Sequence, residues 1–247
     1  MHCYLCQIEF KRSRSNQRFC SSNCRVRAHR LGLGPPVATA IRGTNDELIK
    51  KVAVIYVDDG DTIADVTYGK GVFWKKTMQL NVTGSDWQTV TDRAYDFRDL
   101  PYDDRSYDHV VLDPPYIHTP SKHYRGNKTY NNYASHKEVP LNSYADILAM
   151  YLAGIKEAAR VARKCVWVKC QDTITSGRPN WLHMDLYSHA SKLGLRLDEI
   201  FILVQNGVPT IQKKKQLHAR TNHSYLMVFK VRKRRSNPRR SQGSRKK

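Results

Sequence analysis

The sequence predicts an α/β protein: a mostly parallel sheet covered by helices on both faces, preceded by a small cysteine-rich module. Strand-like apolar segments alternate with amphipathic helical ones from Thr44 to Val231, the pattern of a parallel sheet buried on both sides. Several of those strand-like segments end on an acid or a glycine turn, where sheets of this kind bind their ligands. Four cysteines within the first 24 residues predict the module.

The module spans residues 1–34. Its cysteines, Cys3, Cys6, Cys20 and Cys24, are spaced C-x2-C-x13-C-x3-C. Two short chelating pairs separated by a loop allow four thiolates to converge on one zinc ion. So short a segment has too little apolar material for a core of its own, and the metal would supply its folding energy. Four protein ligands leave no open position, so the zinc is expected to be structural. His29 is an alternative ligand. The stretch Phe19-Cys20-Ser21-Ser22-Asn23-Cys24-Arg25, continued by Ala28 and Arg30, resembles small zinc modules of phage and bacterial proteins. Gly32, Gly34, Pro35 and Pro36 open a linker over 35–43.

Charge is concentrated at the ends. Of a net charge of +20, residues 1–34 carry +6 and residues 230–247 carry +10, leaving +4 for the 195 residues between them. Basic ends of this kind attract phosphate backbones through counterion release without reading sequence, so nucleic acid is the expected partner. The Lys/Arg/Ser-rich tail, 232–247, reads as disordered. No apolar run approaches the roughly 20 residues needed to cross a bilayer, which excludes a helical membrane span. Met1-His2-Cys3-Tyr4 is no basic-then-apolar leader, so a cytoplasmic chain is expected. Cys165 and Cys170 flank an apolar segment and read as buried core thiols.

In chain order, Thr44 and Glu47 form a capping box ahead of Leu48, Ile49, Val52, Ala53 and Tyr56 at helical spacing. Asp58-Asp59-Gly60-Asp61 is a turn, and Thr62–Val66 a strand. Met78–Ser85 reads as a strand ending at Asp86, and His109–Leu112 as one ending at Asp113. Ser143 and Asp146 cap a helix carrying Ile147, Leu148, Tyr151, Leu152 and Ile155. Cys165–Lys169 is a strand, Trp181–Leu193 a helix closed by Gly194, and Leu197–Gln205 and Ser224–Val231 are the last strands. The domain they make covers 44–231.

Asp65-x-Thr67-x-Gly69-x-Gly71 follows the first of these strands. Glycines there let the backbone pass close to a ligand. The third glycine of the dinucleotide fingerprint is missing, which argues against a nicotinamide cofactor. Asp86, about twenty residues on, sits where an acid commonly holds ribose hydroxyls. Asp96-Phe97 precedes Leu100-Pro101, and could meet an adenine ring by hydrogen bond and stacking. Asp113-Pro114-Pro115-Tyr116, directly after an apolar strand, is the decisive element.

Together with Val166-Trp167-Val168-Lys169-Cys170-Gln171-Asp172, these motifs resemble the DNA amino-methyltransferases of the N6-adenine and N4-cytosine type, small phage and bacterial members in particular. The resemblance extends over residues 43–231. It implies a Rossmann-like class I methyltransferase sheet with an antiparallel final strand, and S-adenosylmethionine as cofactor. Asp65, Thr67, Gly69, Gly71, Asp86, Asp96 and Phe97 would line the cofactor pocket, and Asp113, Pro114, Pro115 and Tyr116 would be catalytic. An exocyclic base amine is a poor nucleophile because its lone pair is delocalised into the ring. The Asp113 carboxylate and the Pro114 carbonyl can accept its two hydrogens and localise that pair. The two prolines fix the backbone, and Tyr116 offers a face to an extruded base. Aspartate in the tetrapeptide favours adenine N6, and DNA is the expected substrate. RNA methylation at adenine N6 or guanine N2 is the alternative, and a zinc-dependent nucleic-acid-binding regulator with an inactive core is a second.

The sequence departs from the family pattern in having Val66-Thr67 where proline and phenylalanine are usual. Tyr68, Phe73 and Trp74 are the candidates to replace the lost aromatic wall. No large target-recognition domain is visible. Ile117–Leu141, with His118 and His123 as phosphate contacts, and Val208–His223, with Lys213-Lys214-Lys215 and Arg220, are the segments expected to read the target.

Overall fold

The computed structural model describes residues 2, 3, 6, 8–11, 19–30, 37–77, 79–87, 89–116, 143–205, 219 and 221–232. In the cysteine module, α1 (Ser22–Arg30) packs against α2 (Asn45–Tyr56), the first helix of the main domain. Between them β1 (Ala40–Arg42) is a short strand. After α2 come β2 (Thr62–Asp65), β3 (Asn81–Gly84) and β4 (Tyr107–Leu112). The second half holds α3 (Tyr144–Val161), β5 (Ala162–Cys170), β6 (Thr173–Thr175), β7 (Arg178–Asn180), α4 (Leu182–Lys192), β8 (Arg196–Val204) and β9 (His223–Lys230).

The helices form where the sequence places caps and apolar stripes. The Thr44 backbone N–H donates to the Glu47 carboxylate at 3.0 Å, and α2 buries Leu48, Ile49, Val52 and Ala53. At α3 the exchange is reciprocal: Asp146 N–H donates to Ser143 Oγ at 3.2 Å and Ser143 N–H to Asp146 Oδ2 at 2.9 Å. Such caps satisfy amides that have no partner inside the helix.

Seven strands form one sheet in the order β1-β8-β9-β5-β4-β2-β3. Only β9 runs antiparallel to its neighbours β5 and β8; the other adjacent pairs are parallel. This is the mostly parallel, Rossmann-like sheet with an antiparallel final strand that the sequence predicts. Alternation along β5 fills two cores. Val166, Val168 and Cys170 face the cluster built with α3 and α4, while Cys165 and Trp167 face the one built with α2. Both cysteines are core thiols, 3% and 0% exposed. No helix among the described residues is long and apolar enough to cross a membrane.

Three elements differ from the sequence reading. The strand β1 lies inside the segment read as a linker and pairs in parallel with β8, Ala40 opposite Ile202. A three-residue edge strand has too few residues to show alternation. The strand expected over 78–85 is confined to Asn81–Gly84, because Val72–Trp74 and the turn from Trp74 to Thr77 consume the preceding residues. The hairpin of β6 and β7 turns at Ser176 and Gly177, both with positive φ, the geometry that matches strand twist in a two-residue turn.

Candidate active site

The chain leaves β2 towards β3 on one side and returns to β4 on the other. That reversal opens a crevice at the carboxyl ends of β2 and β4, the place where open α/β sheets bind ligands. Asp65 ends β2, and Asp113 follows β4.

Asp65 is 2% exposed. Its Oδ2 accepts the Trp74 indole N–H at 2.7 Å and its Oδ1 the Thr67 backbone N–H at 3.1 Å. Burial pushes its carboxyl up to about 7, with the nearby Asp113 adding to the rise. The structure thus makes Asp65 the anchor of the glycine loop, and Trp74, one of the three aromatic candidates, is tied beneath it.

Gly69 and Gly71 both have positive φ, 52° and 65°, where a side chain would be strained. The space a Cβ would take at Gly69 is open. Its N–H donates to Asp86 Oδ2 at 3.1 Å, and Thr89 N–H donates to Asp86 Oδ1 at 2.9 Å. Asp86 therefore clasps the glycine loop to the end of β3, where the sequence places it. The Tyr68 ring lies over two glycines: a Cβ at Gly84 would overlap it, and one at Gly71 would lie 2.6 Å from its hydroxyl.

Asp96 and Phe97 are not brought to this crevice in the same way. The Asp96 carboxylate pairs with its neighbour Arg98. Phe97 is 4% exposed, and its ring packs where Gly154 of α3 leaves room. In this structure it packs into the core shared with α3.

Thr67 joins the two motifs. Its hydroxyl accepts the Asp113 backbone N–H at 2.7 Å. Asp113 Oδ1 is buried and has no hydrogen-bond partner among the described residues. Burial raises the Asp113 carboxyl, and the charge of Lys169 opposes that rise. The Pro114 carbonyl accepts the hydroxyl of Tyr151 at 3.0 Å, a hydroxyl that also lies 2.9 Å from the Lys169 carbonyl. A carbonyl has two lone pairs, so Pro114 keeps one for a further donor. Tyr116 is half-buried against the core shared with α3. An orphan carboxylate oxygen, a carbonyl with a free lone pair and an aromatic face therefore lie within four consecutive residues. Sequence reasoning missed Tyr151 and Lys169 as site residues; a tyrosine on an apolar helix face carries no signal of the carbonyls it will reach.

The thiols of Cys3, Cys6, Cys20 and Cys24 lie within 4.8 Å of one another, with Cys20 Sγ 3.5 Å from both Cys6 and Cys24. Tetrahedral zinc with Zn–S near 2.3 Å requires S···S of about 3.8 Å, so this donor set fits the ion. Hydrogen bonding to Cys6 and Cys24 pushes the Cys20 thiol up to about 12, and metal entry would release those protons. The side chain of His29, His118, His123, all of Ile117–Leu141, most of Val208–His223 and the tail beyond Arg232 lie outside the described residues.

No known protein family matches the chain, and no curated protein is similar to it. Among solved structures it is similar to a proposed DNA modification methylase of Thermus thermophilus, with 16% identity, a TM-score of 0.37 and coverage of 60% of this chain and 56% of that one. The chain thus spans little more than half the length of the Thermus protein. It is also similar to a proposed methyltransferase of Bacillus halodurans, with 12% identity, a TM-score of 0.49 and coverage of 76% and 99%. An S-adenosylmethionine-dependent methyltransferase of Methanosarcina mazei gives 11% identity, a TM-score of 0.42 and coverage of 73% and 96%.

Proposed function

We propose that the chain is an S-adenosylmethionine-dependent methyltransferase acting on an exocyclic amino group of a nucleic-acid base, adenine N6 in DNA. The observation that carries this reading is the buried Asp113 Oδ1, unpartnered among the described residues, at the sheet's switch point. A buried acceptor without a donor is costly unless a ligand supplies one, and an exocyclic amine brings two.

Asp113 accepts one amine hydrogen and the free lone pair of Pro114 the other, which turns the nitrogen lone pair out of the ring. Positive charge developing on that nitrogen is stabilised by the carboxylate, in a geometry fixed before reaction. Tyr116 offers its ring to a base taken out of the stack. When bound, the cofactor supplies the transferable methyl group on a sulfonium. The open space over Gly69, the Tyr68 wall and the Asp86 carboxylate fit its nucleoside end, with Thr67 and Gly71 completing the loop. The four-cysteine cluster holds a structural zinc, and the basic module with the basic tail binds the phosphate backbone.

The test is incubation with labelled S-adenosylmethionine and matched DNA and RNA, followed by mass spectrometry of the nucleosides. N6-methyladenine in DNA is the expected product. Label in RNA alone moves the substrate to RNA, and N4-methylcytosine moves the target base. Tight nucleic-acid binding without label overturns the proposal in favour of a zinc-dependent regulator.

A further inference from the structure

Lys169 breaks the local rule of its strand. The flanking residues of β5 from Cys165 to Cys170 are apolar and buried, and Lys169 is 2% exposed among them. Its Nζ donates to Asn45 Oδ1 at 3.0 Å and lies 5.9 Å from the centroid of the Phe73 ring. An ammonium has three donors, and no carboxylate among the described residues forms an ion pair with this one. A buried charge so sparsely paired is costly, and a conflict of this kind marks a functional position.

The register shows what the charge faces. Leu112 of β4 lies opposite Val168 of β5, so Asp113 and Lys169 are the next residues on neighbouring strands, about 5 Å apart at the backbone. Val111 and Trp167, two residues earlier, both face the α2 side, and the period of two places Asp113 and Lys169 on that side as well. Among the described residues, the other groups around Asp113 do not supply a cation. Asp65 on β2 is a second carboxyl, which burial pushes up to about 7 and which is no cation in either form. Asn45 of α2 is neutral, and the α2 acids Asp46 and Glu47 are paired with Lys76. Tyr151 of α3 and Cys170 of β5 are held neutral by burial.

We propose that Lys169 is a positioning residue whose buried ammonium holds the Asp113 carboxylate in its ionised, hydrogen-bond-accepting form. Its catalytic consequence rests on the methyltransferase reading of Asp113; the electrostatic coupling itself does not. A neutral carboxylic acid at Asp113 would offer the amine a donor where an acceptor is needed, so the countercharge on β5 decides whether the site works near neutral pH.

The experiment is carbon-13 NMR of the aspartate carboxyls in the full-length protein without substrate or cofactor, with Asp113 assigned by its loss in Asp113→Asn. In Lys169→Met the Asp113 titration midpoint is expected to rise by at least about one pH unit, a tenfold change in its acid dissociation. In Lys169→Arg it is expected to stay close to wild type. Should methionine prevent folding, Lys169→Gln, which keeps a donor towards Asn45, carries the same expectation. An unmoved Asp113 midpoint in a folded, uncharged variant overturns the proposal whatever the activity. A raised midpoint in a protein that transfers no methyl group supports the electrostatic coupling and counts against the methyltransferase reading alone. Where transfer is observed, the acid limb of its pH–rate profile is expected to rise with the NMR midpoint.

Discussion

The Thr67 hydroxyl accepts the Asp113 backbone N–H at 2.7 Å, so this side chain ties the loop after β2 to the loop after β4. The amino-methyltransferases that the sequence resembles have phenylalanine where this chain has Thr67, and the hydroxyl gives that difference a structural role. Thr67→Val leaves the Asp113 amide without its partner, a loss of about 1–3 kcal/mol for a buried donor. We expect urea unfolding to register a drop of that size and methyl transfer to fall at least about tenfold, since each 1.36 kcal/mol on the barrier is a factor of ten. Thr67→Ser keeps the hydroxyl and is expected to stay near wild type in both assays.

The buried carboxyl of Asp65 gives stability a definite pH dependence. Burial holds it at about 7 in the folded chain, against 3.8 for an unperturbed aspartate. Below the lower value it is protonated in both states and makes no difference. Between the two, the unfolded chain ionises and the folded chain does not, so this group's contribution weakens folding as pH rises towards 7 and is constant above it. Asp65→Asn removes that slope. Measured by urea unfolding from pH 4 to pH 8, the stability of the variant relative to wild type is expected to rise across the window by up to about 4 kcal/mol, at about 1.36 kcal/mol per pH unit. A difference that stays flat with pH would show that Asp65 is not the group responsible.

Gly84 is kept small by Tyr68. A methyl group at Gly84 overlaps the Tyr68 ring, and overpacking of this kind costs about 1–3 kcal/mol. Gly84→Ala is expected to push the ring and the loop to Gly71 out of place, weakening S-adenosylmethionine binding roughly tenfold or more by calorimetry. Replacing Tyr68 with leucine in the same protein relieves the overlap but not the lost wall, so folding stability recovers while affinity stays low.

Much of this architecture was legible in the sequence because local chemistry and global fold agree. Thr44 with Glu47 and Ser143 with Asp146 announced both long helices, and each strand-ending acid stands at the carboxyl edge of the sheet. Phe97 fills the room left by Gly154, a packing that an aromatic next to an acid does not announce in sequence. Asp86 lies where expected, yet its engagement with Gly69 and Thr89 depends on a loop closure that spacing cannot show. Tyr151 and Lys169 hydrogen-bond to residues 18 or more positions away, contacts that tertiary packing sets and local sequence does not announce.

The cysteine cluster predicts one zinc ion per chain by elemental analysis. Removing it with a strong chelator is expected to unfold α1 and to weaken nucleic-acid binding and its salt dependence, because the +6 of residues 1–34 loses its scaffold. The main sheet, with cores of its own, should retain its far-ultraviolet circular dichroism. Cys20→Ser is expected to reproduce the metal-free behaviour.

The most direct measurement is methyl transfer from labelled S-adenosylmethionine to DNA by the wild type and by Asp113→Asn, alongside calorimetric cofactor binding by both. The substitution keeps shape and the Thr67 contact, which uses the backbone amide, and removes the negative charge. Cofactor affinity within a few fold of wild type, with N6-methyladenine formation lost by about a hundredfold or more, is the predicted result. Transfer by Asp113→Asn at the wild-type rate would contradict the assignment of Asp113 as the acceptor that activates the amine.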